Sequence, residues 1–462
     1  GFRGHIYCTQ ATERLCEIML LDSAHIQEFE AKWRNRKARR SGGGLYEPLY
    51  TTEDAQKAIK QFVGCDYDKE YQLCKGIKVS FTDAGHLLGS ASVTLEITEG
   101  SKSETIVFSG DLGNFNRPLI RDPGQPKKAD YVVIESTYGN RLHGERPDYV
   151  SQLTRIIQET FDRGGNVIIP SFAVGRTQEL LYLLRIIKEQ KLIYGHDNFP
   201  VYVDSPLAVE ATEIYSSDLT DYFDDETLDL LHKGINPIKF PGLKLSLTSD
   251  DSVKINLDKS PKVILSASGM CEAGRIRHHL KHNLWREECT VLFVGYQAVG
   301  TLGRIITEGA STVKLFGDEI KVNAHIEQLE GISGHADRDM LLNWLDGFDE
   351  KPKTVFVNHG SDEVCDEFSE TVKNKLGINS TAPYNGAEYD LISGVCIKVG
   401  NKKRIVKQHI NNSKKHESSA FGRLFNASRR LLSVVDTYRE CANKDIAKFA
   451  DQIIALCDKW ER

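Results

Sequence analysis

The chain has 462 residues, 40% of them apolar and 27% charged, with a formal charge of −6. That length exceeds what one hydrophobic core usually serves, so two domains with appendages are expected. The composition is that of an ordinary soluble protein, and the acidic balance excludes a nucleic-acid binder that works by overall charge; any such surface must be local.

The chain starts at Gly1 with a stretch that reads as a turn and strand already under way, with no initiator Met and no signal peptide. Apolar residues at helical spacing predict a helix over 9–30. A basic run over 32–40 follows, with Arg34, Arg36, Lys37 and Arg39, and ends in Ser41 and three glycines. It reads as a solvated helix leading into a loop, the alternative being an RNA-backbone contact. Period-two patterns predict strands over 77–81, 91–97, 105–108 and 131–134. From residue 149 the pattern changes. Helix 149–162, strand 166–170, helix 177–190, strand 201–204, helix 208–216, strand 262–265, helix 275–281, strand 290–294 and a helix near Leu302 alternate, which predicts an α/β region with a doubly wound parallel sheet. Strand character continues over 320–329, then helix 338–346 and strand 353–358. Beyond 405 the chain turns polar and ends in an amphipathic helix carrying Leu431, Val435, Tyr438, Ile446, Phe449, Ile453, Leu456 and Trp460, which packs on its own domain or forms a dimer contact. The longest apolar runs suit buried strands and are too short to span a bilayer. Ten scattered cysteines, with no Cys-x-x-Cys pair, fit reduced thiols in the cytoplasm.

Five side chains stand at strand ends. His86 lies in Thr82-Asp-Ala-Gly-His-Leu-Leu-Gly-Ser, Asp111 in Phe108-Ser-Gly-Asp-Leu-Gly, and Glu135 before Ser136-Thr-Tyr-Gly. His335 lies in Ser333-Gly-His-Ala-Asp and His359 in Asn358-His-Gly. Strand ends are rigid, and side chains can converge there. Any one of the five could be a turn residue or a satisfied loop histidine. Three imidazoles and two carboxylates together are the ligand types of a catalytic zinc site. Three further loops join a strand to a helix and end in glycine and arginine: 171–176, 266–275 (with Ser268) and 295–304. Helix N-termini with an added guanidinium suit phosphate, so Ser268, Arg176, Arg275 and Arg304, with His278 on the following helix, are expected to contact RNA; tight turns and a surface helix are the alternative.

At these residues the chain resembles the β-CASP branch of the metallo-β-lactamase superfamily. The likeness is greatest to the RNA-cleaving group related to the nuclease subunit of the cleavage and polyadenylation factor and its bacterial and archaeal relatives. The matching motifs are the five above, in the family's order, with Pro170-Ser-Phe-Ala-Val-Gly-Arg and Ala267-Ser-Gly-Met resembling signatures of the inserted domain. The resemblance implies a metallo-β-lactamase αββα sandwich from 1–139 and 334–400, a β-CASP α/β insert over 140–333 and a C-terminal helical extension over 401–462. RNA would run in the cleft between the two domains. It implies two zinc ions: His86 on one, Asp111 bridging both, His359 on the second. His335 would be the general acid, oriented by Glu135. Histidine at position 359, where DNA-acting relatives carry valine, points to RNA. The implied reaction is hydrolysis of RNA phosphodiesters by a metal-activated water, in RNA processing or decay. The family also places an Asp and a His-x-His-x-Asp-His motif upstream of where this chain begins. The chain is therefore read as an incomplete form, expected to hold zinc weakly and to be inactive as it stands. A non-catalytic RNA-binding scaffold subunit and a small-molecule metallo-hydrolase are the rival readings.

Overall fold

The computed structural model describes residues 2–41, 45–144, 147–329, 331, 333–402, 427–428, 431, 435 and 443–460. Its largest sheet has seven strands in the order Ser380–Thr381, Thr354–Val357, Tyr131–Ile134, Lys102–Phe108, Ala91–Glu99, Ile77–Asp83, Tyr71–Cys74. The first four run parallel and the last three join antiparallel. Alternation along the strands sorts the side chains. Val132, Ile134, Val355 and Val357 meet Leu341, Leu345 and Phe368 from helices Arg338–Asp346 and Asp362–Leu376. On the opposite face Tyr131, Ile106 and Phe356 meet Tyr389 and Leu391, in and beside the hairpin Glu388–Asp390/Val395–Lys398.

A second sheet has six parallel strands in the order Leu243–Leu245, Val201–Val203, Val263–Ser266, Val167–Pro170, Thr290–Phe293, His325–Gln328. Its central strands are buried on both faces, as a doubly wound sheet requires. Val167, Ile169 and Leu292 pack with Leu153, Leu180 and Leu184, while Ile168, Val291 and Phe293 pack with Ile276, Leu280 and Ile306. The three glycine–arginine loops leave the carboxyl ends of neighbouring central strands, and those over 266–275 and 295–304 touch: Gln297 donates to the Gly269 carbonyl at 3.1 Å and the Gly303 N–H to that of Met270 at 3.1 Å.

Residues Gly1–Met19 and Ile59–Lys402 cluster as one compact unit, which holds both sheets; Leu20–Ala58 and Lys403–Arg462 cluster as a second. In the second unit Asn35 brackets the Tyr46 backbone, accepting from its N–H at 2.7 Å and donating to its carbonyl at 2.9 Å.

Some boundaries differ from the sequence reading. The first helix runs Gln10–Ser41, through the basic segment, because lysine and arginine are good helix formers and Glu30 pairs with Arg34 one turn on. The stretch over 320–329 splits. Asp318–Lys321 closes a hairpin with Thr312–Leu315 through Phe316 and Gly317, both at positive φ, while His325–Gln328 joins the six-stranded sheet. Helix Asp362–Leu376 was not legible as a periodic segment. The terminal helix is described over Asn443–Trp460, with Ile446, Phe449 and Ile453 half-buried and Leu456 and Trp460 exposed; Tyr438 lies outside the described residues.

Candidate metal centre

Asp111, Glu135 and His359 follow three adjacent parallel strands, Lys102–Phe108, Tyr131–Ile134 and Thr354–Val357, so they emerge at one edge of the seven-stranded sheet. His86 reaches the same edge from the turn between Ile77–Asp83 and Ala91–Glu99. The Ser90 hydroxyl holds that turn by accepting the N–H groups of His86 and Leu87 at 3.0 and 3.1 Å. His335 arrives from the six-stranded side, two residues before Asp337, whose carboxylate caps helix Arg338–Asp346.

These loops are zipped together by backbone. Gly113 donates to the Ala84 carbonyl at 2.7 Å, Asn114 to Gly334 at 3.1 Å, and Ala336 to Leu112 at 2.8 Å. The approach leaves no room for side chains: a Cβ on Gly113 would lie 1.8 Å from the Gly85 carbonyl oxygen, and one on Gly334 would lie 2.9 Å from His86 Cε1. His359 itself has left-handed backbone, φ 50°, and its carbonyl accepts the Ser136 N–H at 3.2 Å.

The side chains converge. His359 Nδ1 is 2.9 Å from Asp111 Oδ1, and His86 Nε2 is 4.0 Å from Asp111 Oδ2. Each oxygen of Asp111 therefore faces a different imidazole. His86 Nδ1 donates to the Gly334 carbonyl at 3.1 Å, leaving Nε2 as the lone-pair nitrogen. The His335 ring lies 4.4 Å from that of His86 and 6.0 Å from that of His359. Its Nδ1 is 3.1 Å from both oxygens of Glu135. Glu135 is buried and also accepts the Leu112 N–H at 2.6 Å, so one carboxylate orients His335 and pins the Asp111 loop.

The charges follow from these contacts. Burial, with His335 and Arg117 nearby, pushes His86 down to about 4, which keeps the imidazole neutral, as a metal ligand must be. Burial disfavours a charged His335, but the Glu135 hydrogen bond and charge outweigh it and raise the imidazole above its usual range. Burial would raise Glu135; its bond to His335 wins and holds it low.

His86, Asp111 and His335 each offer a ligand atom within 4.8 Å of the others. Neighbouring ligands on a tetrahedral zinc with bonds of about 2 Å lie roughly 3.3 Å apart, so small side-chain movements bring this donor set to coordinating distance. Imidazole and carboxylate are also zinc's own ligand types. The residues therefore fit a metal.

Family models match two parts of the chain: a Beta-Casp domain over residues 177–306 and a Zn-dependent metallo-hydrolase RNA specificity domain over 319–383. Ribonuclease TTHA0252 of Thermus thermophilus is 36% identical over 365 residues, which is 79% of this chain and 77% of that protein. The chain belongs to the β-CASP metallo-β-lactamase family of RNA nucleases. Transcription termination factor FttA of Methanocaldococcus jannaschii is 32% identical over 395 residues, and that of Thermococcus kodakarensis 30% over 394; this chain spans 59% and 57% of their lengths. Membership brings the α/β fold described above and the use of a metal. No described helix is long and apolar enough to cross a membrane.

Two residues that the sequence analysis did not single out stand beside the site. Arg117 and Glu179 are both buried and form an ion pair between the two sheets, and Arg176 pairs with the same carboxylate. Arg117 also donates to the carbonyls of His86 at 2.5 Å and Gly334 at 3.3 Å, bracing the loops of His86 and His335. Asp83, likewise unforeseen, holds the Gly85 N–H at 2.8 Å, and burial raises it to about 7.

The expected RNA-contact residues are placed differently from one another. Arg176 is tied to Glu179, and Arg275 to the buried Asp204 at 2.7 Å and the Leu247 carbonyl at 2.6 Å. Both guanidiniums point into their own domain, because buried carboxylates there need neutralising. Arg304 is half-exposed, with Glu308 beside it. Ser268 bonds Ala273, and His278 stacks on Phe316 at 4.4 Å.

Proposed function

We propose that the chain is a zinc-dependent ribonuclease of RNA processing or decay, with two metals at this centre. We assign 1–139 with 334–400 to the metallo-β-lactamase domain, 140–333 to the β-CASP insert and 401–462 to a C-terminal extension; the separate sheets support that division. The observation that carries the reading is the Asp111 carboxylate between two imidazoles, with the Glu135–His335 pair alongside. His86 and Asp111 would hold one zinc, Asp111 and His359 the second. Zinc bound there would supply the Lewis acid that ionises an attacking water and offsets phosphate charge.

The chain's own groups do the rest. Glu135 fixes the His335 ring with a proton on Nδ1 and favours its charged form, so His335 Nε2 carries the proton handed to the leaving oxygen. Water in-line on phosphorus gives a 5′-phosphate and a 3′-hydroxyl, and the RNA 2′-OH takes no part. RNA would lie in the cleft between the two sheets in a cytoplasmic protein. Apolar residues left exposed on helix Asn443–Trp460 support self-association of the chain. The direct test, in a form of the protein that cleaves RNA, is end-group analysis of the products, together with a substrate carrying a single 2′-deoxy sugar at the cut. Cleavage of both substrates to 5′-phosphates supports the mechanism; 2′,3′-cyclic phosphate ends would overturn it.

A further inference from the structure

A groove of about 450 Å³ opens beside the candidate acid. That size is in the range of pockets that take one small ligand. One wall is the segment from Tyr138 to Gly144 and the other includes Tyr296, with Ser333 and Gln328 completing it. The Ser333 hydroxyl accepts the His335 N–H at 3.2 Å, so the groove adjoins the acid.

The walls are built, not incidental. The Tyr138 ring meets those of His335 and His143 edge-on, at 6.0 and 5.1 Å. His143 Nε2 lies 2.9 Å from the His335 carbonyl, and the His143 N–H donates to the Asp337 carboxylate at 2.9 Å. That ties the wall to the loop and helix cap that position His335. The Arg141 guanidinium lies over the Tyr138 ring at 3.9 Å, is exposed, and has no carboxylate partner among the described residues. Across the groove Tyr296 is 64% exposed on the loop after strand Thr290–Phe293. An exposed tyrosine, a second one carrying a cation, and an amide at Gln328 form a surface suited to one base and one phosphate.

We propose that this groove is the subsite for a single nucleotide of single-stranded RNA, the one whose 3′ oxygen leaves. The inference rests on the ribonuclease reading above. His335 protonates that oxygen, and the groove lies on His335's side, so the nucleotide carrying the oxygen is the one that reaches it. Its base stacks against Tyr296 and Tyr138, and Arg141 meets its phosphate.

The test begins with binding, in EDTA, of a fluorescein-labelled oligouridylate of about ten nucleotides and of the same oligomer with abasic sugars, to the full chain. Tyr296→Ala is expected to bind the oligouridylate about tenfold more weakly, the size of one base–aromatic stack, and the abasic oligomer unchanged. Tyr296→Phe should bind as wild type, which separates stacking from disturbance of the fold. Arg141→Ala should weaken both oligomers and lower the slope of log affinity against log salt by about 0.7. Position is read from cleavage by a form of the protein that is active: an abasic residue 5′ of the cut should raise KM for its unsubstituted chain and not for Tyr296→Ala, and one 3′ of the cut should affect both alike. Unchanged oligouridylate binding by Tyr296→Ala, or equal loss for both oligomers, overturns the subsite while leaving the ribonuclease reading intact. A wild-type chain that binds neither oligomer overturns both.

Discussion

Arg117 and Glu179 lie 62 residues apart in sequence and form a buried ion pair between the seven-stranded and six-stranded sheets at the back of His86. Arg117 Nε is 2.9 Å from Glu179 Oε1, and the same guanidinium holds the carbonyls of His86 and Gly334. The position of the insert is thus mechanically tied to a candidate metal ligand and to the loop of the candidate acid.

Breaking this pair is expected to cost more than an exposed salt bridge would. Glu179→Gln leaves the buried Arg117 without its carboxylate, and should destabilise the chain by about 3–5 kcal/mol. Arg117→Lys keeps the charge but not the planar fork, so it should lower zinc affinity and rate as well as stability. Urea denaturation and zinc titration read the two effects; a wild-type midpoint for Glu179→Gln would refute the first.

Acid stability should depend on the same carboxylate. Burial alone would raise Glu179, but Arg117 and Arg176 outweigh it and hold it at about 2. A folded pKa below the unfolded value, about 4.3, means that Glu179 adds stability above that pH and loses it as pH falls towards 2. The Glu179→Gln chain is therefore expected to show a shallower fall in stability between those two values. Parallel acid limbs in wild type and variant would show that other groups govern the transition.

His335 and Asp111 should separate metal loading from chemistry. In a form of the protein that cleaves RNA, His335→Ala is expected to retain as much zinc as wild type and lose roughly 10²–10⁴-fold in rate. Asp111→Ala should lose zinc and activity together, because its two oxygens face two different candidate ligands, His86 and His359. Equal zinc loss in both variants would make His335 a ligand, a role open to it by its distance from His86 and Asp111.

Among the loop arginines, stability and RNA binding should divide. Arg275→Ala strips a partner from Asp204, which is fully buried against His279, and is expected to destabilise the fold. Arg304→Ala should leave stability near wild type and lower the salt slope of RNA binding by about 0.7. Thermal melts and binding at two salt concentrations distinguish them; unaltered RNA binding by the Arg304 variant would make its loop a structural turn.

The local chemistry of the chain settled many of its elements. Helices Tyr149–Asp162 and Arg338–Asp346 have the bounds read from periodicity, because Asp148 and Asp337 cap them from the adjacent residue. The apolar alternation that splits Val132 from Tyr131 across a sheet is likewise written in single residues. The five strand-end acids and imidazoles were legible for the same reason: glycine and a strand's end are local signals. Tertiary structure decided which nitrogen of His86 carries the proton, that Asp111 faces two imidazoles at once, and that Arg275 turns inward to Asp204, 71 residues away. It also decided that Arg117 braces the site. Glycine next to arginine looks the same in sequence whether the guanidinium faces a phosphate or a buried carboxylate. Only the position of the neutralising group distinguishes the two, and long-range folding sets that position.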